Sequence, residues 1–119
     1  MTLPTILQSL RLPAVGAPLF IISNPDLVIA QCKAGIVGSF PTLNARPIEM
    51  LDDWFTMMKE ELEAYDKANP TKPSAPIAAN LIVHKSNNRL QEDLELVVKH
   101  KVPLVITSLG ALTEVNDAV

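Results

Sequence analysis

Apolar positions along this chain fall into two patterns that take turns. Short, nearly unbroken apolar runs occupy 14–21 (AVGAPLFI), 35–40 (GIVGSF), 76–83 (PIAANLIV) and 102–108 (VPLVITS). Their length and weak alternation predict strands covered on both faces, as in a parallel sheet. Between them lie stripes at helical spacing. Ile48, Leu51, Trp54, Phe55, Met58 and Leu62 mark an amphipathic helix over 46–65, entered through Pro47, with Trp54 and Phe55 expected to pack on the sheet. Asn24-Pro25-Asp26 has the order of a helix start, and Gly35 that of its stop. Leu90, Leu94, Val97 and Val98 line one face of a helix predicted over 86–101. Asn88 and Gln91 are expected to form its capping box, with Glu92 and Asp93 in its first turn. Residues 66–76, rich in proline, read as a surface connection, and 109–119 as a loop entering a helix. The predicted order is β-α-β-α-β-α-β, an α/β chain.

Composition adds boundaries rather than chemistry. The 119 residues are 48% hydrophobic and 19% charged, which suits one domain of ordinary globular character. A net charge of -3, with no basic block, speaks against a nucleic-acid or anionic-membrane surface. No apolar run approaches a membrane span, and the first residues lack the basic and cleavage features of a signal peptide. The single cysteine, Cys32, has no internal disulfide partner, so a reducing, cytoplasmic setting is expected, with Cys32 as inert helix packing.

Two architectures suit the element order: a complete doubly wound sheet, or about half of a (β/α)8 barrel. The first strand leads into VGAPLFIISNP, which has neither the G-x-G-x-x-G of a dinucleotide site nor a phosphate-binding P-loop. It also lacks an acidic residue at its exit, as a phosphoacceptor domain would carry. Small groups at strand exits favour the barrel: Ala17-Pro18, Gly38-Ser39, Asn80 and Thr107-Ser108. Ligands bind at that edge in either architecture, and an amide such as Asn80 can both donate to and accept from a flat ring.

These residues resemble a known family. PAVGAPLFIISNPDLVIAQCKAGIVGSFPTLNARP, followed by NLIVHKSNNRLQEDLELVVKHKVPLVITSLGA, is similar to the N-terminal part of nitronate monooxygenases, formerly 2-nitropropane dioxygenases. The similarity runs from about Leu12 to Val119. It implies the N-terminal half of an FMN-dependent (β/α)8 TIM barrel, about four parallel strands with alternating helices. Residues 1–119 would then form a partial, truncated barrel domain. The implied activity is flavin-dependent oxidation of alkyl nitronates with dioxygen. By position, the resemblance puts Ala17, Pro18 and Leu19 along the FMN ring, Asn80 in a hydrogen bond to it, and Ser108 and Gly110 at the same face. Leu19 stands where the family commonly has Met. The family's phosphate-binding glycines and catalytic histidine have no counterpart in this chain.

Two alternatives stay open: an FMN-dependent enoyl-thioester reductase-like barrel, and a non-catalytic α/β binding domain. His84, at the third strand's exit, is a candidate acid, base or substrate contact, or simply a loop residue before the next helix. His100 reads as a cation at a helix end, and Asn44 as a turn former or pocket residue. No metal-ligand spacing occurs. Half a barrel leaves one sheet face and two edges uncovered, so self-association is expected.

Overall fold

The computed structural model describes residues 2–119. After a one-turn helix, α1 (Thr5–Gln8), come α2 (Pro25–Ala34), β1 (Gly38–Pro41), α3 (Ile48–Ala68), β2 (Ile77–Ile82), α4 (Leu90–Lys99), β3 (Leu104–Ser108) and α5 (Thr113–Ala118). The fold is mixed α/β with an open, three-stranded, all-parallel sheet in the order β1-β2-β3. Sequential strands are neighbours, each pair joined by a helix, as parallel pairing requires. Among the described residues, no helix is long and apolar enough to cross a membrane.

Four of the sequence expectations need correction. The first predicted strand, 14–21, reduces to one parallel bridge between Val15 and Val37, with Gly16 N–H donating to Val37 O at 2.7 Å. Pro18 has no N–H to extend the ladder, and the chain beyond it closes into a tight turn. The second strand begins at Gly38 because Gly35 is spent as the left-handed cap of α2, at φ 98°. The expected Asn88–Gln91 capping box does not form: α4 starts only at Leu90 and has no side-chain cap. Asn87 holds the entry instead, donating to Ile82 O and accepting from Arg89 N–H. Val98, expected on the packed face of that helix, is 46% exposed.

Other expectations are met as written. Asn24 caps α2 through its side chain, accepting from Leu27 N–H, and Pro25 takes the first turn. Trp54 and Phe55 pack edge-on and tilted against Phe40 of β1, with ring centroids 5.8 and 5.6 Å away. The core lies between the helices and one sheet face: Val28, Ile29 and Cys32 from α2, Leu51, Phe55, Met58 and Leu62 from α3, and Leu94 and Val97 from α4 meet Phe40, Ala79 and Leu81. Gly38 permits the close approach of α2, since a Cβ there would lie 2.4 Å from Val28 O. By strand alternation, the opposite face carries Ser39, Ala78, Asn80, Ile82, Leu104, Ile106 and Ser108.

Candidate functional site

Of the polar residues on that opposite face, Ser108 ends β3 and Asn80 lies past the middle of β2, whereas Gly38-Ser39, expected at a strand exit, opens β1 instead. Asn80 is only 5% exposed. Its amide donates across to β3, to Ile106 O at 2.9 Å and to Ser108 Oγ at 3.1 Å. Both amide hydrogens are therefore used, while Oδ1 makes no hydrogen bond among the described residues and is not sealed from solvent. Ser108 Oγ accepts from Asn80, which leaves its own hydrogen available for a further acceptor. One strand over, Ser39 donates to the Gly16 carbonyl, tying Gly16, and with it the start of the Ala17-Pro18-Leu19 segment, to β1.

The Ala17–Leu19 segment and its continuation are held at the surface. Leu19, Phe20, Ile21 and Ile22 are 45–74% exposed. Asn44 fixes this turn from the loop after β1: its Oδ1 accepts from Ile21 N–H, and its amide donates to Leu19 O and Ser23 O at 3.0 and 2.9 Å. Ser23 Oγ adds a bond from Leu19 N–H. Asn44 is thus a staple of the segment, which accounts for Ile21 at φ 67°, an unfavourable backbone for a β-branched residue.

Gly110, past the end of β3, adopts φ 155°, and a Cβ there would come within 3.2 Å of Val83 O. Val83 N–H in turn donates to Ser108 O. The exits of β2 and β3 are therefore in direct contact. His84, one residue further along, turns away into its own loop. It is exposed, and its Nδ1 accepts from Ser86 N–H and lies 2.9 Å from Ser86 Oγ. The structure brings Asn80, Ser108 and Gly110 to one region and does not link His84 to them.

A cavity of about 800 Å³ opens at this edge, lined by Leu43, Arg46, Ile82, Asn87, Arg89 and Leu109 among others. Asn80, Ser108 and Ala17 lie outside it. One wall contains a feature that the sequence reading missed. Asp93, fully buried, accepts from Arg89 Nη2 and Nε at 2.8 and 3.2 Å and from Thr42 Oγ1 at 2.8 Å. Arg89 Nη1 also donates to Ala45 O at 2.6 Å. This network clamps the loop after β1 to the start of α4. The i,i+4 spacing of Arg89 and Asp93 was visible in the sequence; the burial of the carboxylate was not.

Asp52, with His100 and Lys99, and Cys32 are the other titratable residues set by their surroundings. His100 does not serve the helix carbonyls alone, as expected from its position. Its Nε2 lies 2.6 Å from Asp52 Oδ1, and its ring packs on Phe55 with centroids 5.2 Å apart. Bonds from His100 and then Lys99 hold the Asp52 carboxyl below its usual range. Burial pushes the Cys32 thiol up to about 11, which keeps it protonated and unreactive near neutral pH. Among the described residues, no group of three or more His, Cys, Asp or Glu is arranged to hold a metal.

No family model, curated protein or solved structure matches this chain.

Proposed function

We propose that the chain supplies part of the ring-binding wall of an FMN-dependent (β/α)8 barrel that oxidises alkyl nitronates. The observation carrying this reading is the Asn80–Ser108 pair on the non-helical face of a parallel sheet, toward its carboxyl end. That is where barrel enzymes of this topology assemble their sites. The all-parallel order with neighbouring sequential strands supports a barrel wall. The sequence resemblance supplies the reaction.

The donor set suits a flavin ring edge, which offers one N–H donor flanked by acceptors. Asn80 Oδ1 would accept from that donor, and the Ser108 hydroxyl would donate to a neighbouring acceptor. Gly110, beside Val83 at the strand exits, adds no side chain to the approach. The phosphate is less well served: in the wall of the nearby cavity, Arg89 is already engaged by Asp93 and Ala45, and Arg46 Nε by Leu43 O. The chemistry supplied by bound FMN is removal of electrons from an alkyl nitronate and their delivery to dioxygen. The chain's own part is orientation. Asn80 and Ser108 would hold the ring edge.

Titrating the purified chain into FMN and following flavin fluorescence tests this. Saturable quenching is expected, weakened about tenfold by Ser108→Ala, the loss of one hydrogen bond. Absence of quenching at near-millimolar protein would overturn it. A second reading is favoured by one observation: both Asn80 amide hydrogens are satisfied within the sheet, as expected of a non-catalytic α/β binding domain in which this pair only locks β2 to β3.

A further inference from the structure

At the opposite end of the sheet lies a second cavity, and we infer that it binds a small, flat, uncharged aromatic molecule bearing one hydroxyl. The cavity has a volume of about 430 Å³, within the range of sites for small ligands. Phe55, Leu62, Ala75, Ile77, Pro103 and His100 form much of its wall. Phe55, Leu62 and Ala75 are all buried, and Phe55 and Leu62 belong to the hydrophobic core, so the floor of the cavity is continuous with the core.

His100 supplies the polar group. Its side chain is only 12% exposed and its Nε2 is committed to Asp52. The ring is therefore held in place, packed at a tilt against Phe55. Nδ1 has no hydrogen-bond partner among the described residues and is not sealed in the interior. An anchored imidazole edge beside an apolar floor matches a ligand with an aromatic body and one group able to donate and accept.

Charge argues for a neutral ligand. Lys59 and Lys101 stand around the cavity together with Glu63 and Asp66, so neither sign prevails at the mouth. Asp66 is also occupied in part by Ser74 N–H, at 2.6 Å. This cavity shares no lining residue with the Asn80–Ser108 region and does not depend on flavin.

Phenol and toluene, titrated separately into the whole 119-residue chain under amide NMR, test the inference. Phenol is expected to shift the amides of Phe55, Ile77, His100 and Lys101 in a saturable way. Toluene should shift the same set about tenfold more weakly, the difference of one hydrogen bond. His100→Phe, which keeps an aromatic ring against Phe55, should bring phenol down to the toluene level. Equal affinity of the wild-type chain for the two probes would refute the role of His100 without any variant. Shifts centred on Asn80 and Ser108, or none at millimolar probe, would refute the site.

Discussion

Replacing Arg89 with Met should destabilise the protein far more than breaking an ordinary helix-surface ion pair. Arg89 and Asp93 are four residues apart on α4, and an exposed pair at this spacing contributes roughly 0.3–0.5 kcal/mol. This pair is different because the Asp93 side chain has no solvent exposure and that of Arg89 only 18%. Methionine would fill much of the arginine's aliphatic volume but remove both bonds to Asp93 Oδ1 and the bond to Ala45 O. The carboxylate would be left buried with Thr42 Oγ1 as its remaining donor. Stranding one partner of a buried pair costs about 3–5 kcal/mol. With an unfolding entropy of about 2.1 cal/mol/K per residue over this chain length, that corresponds to a drop in Tm of roughly 12–20 °C. Urea unfolding followed by Trp54, the only tryptophan and a neighbour of Phe40, gives the free energy directly. The double variant Arg89→Met/Asp93→Leu should recover most of the loss, because no charge is then left inside. A cost below about 1 kcal/mol for Arg89→Met, or a double variant no more stable than the single, would refute the argument.

Three further outcomes are expected. Asp52 gains stability from His100 and Lys99 only while ionised, and its folded pKa lies below the ordinary value of 3.8; the advantage of wild type over Asp52→Asn should be full near pH 6 and fade as pH falls below about 4, which urea midpoints at the two pH values will measure, and an advantage that grows in acid would contradict the pairing. Cys32, buried and with its thiol raised to about 11, should react with a disulfide reagent at about pH 8 only after denaturant is added; rapid labelling of the native chain would show the core open. Asn44→Ala removes three bonds to the Leu19–Ser23 turn, so amide exchange of Ile21 should accelerate by roughly tenfold or more, given about 1 kcal/mol per bond, while the amides of β2 stay protected.

What was legible in the chain and what was not divides along one physical line. Local rules sufficed where a residue acts on its own backbone neighbours: Asn24 capping α2, Gly35 stopping it, and the apolar stripe that puts Phe55, Met58 and Leu62 into the core. The alternation of helices and short apolar runs determined the α/β class, because a strand covered on both faces must be apolar throughout. Where partners come from distant segments, the sequence was silent. Run 14–21 has the composition of a strand, yet only Val15 finds a neighbour, since Pro18 ends the ladder and Asn44, more than twenty residues away, claims the turn. Asp93 looked like a helix-dipole residue and is instead the buried centre of a clamp that reaches Thr42. Asn80 stood out as an amide inside a strand, but that its hydrogens would meet Ile106 O and Ser108 depended on the register of β2 against β3. Register is a property of two strands together, and no single segment carries it.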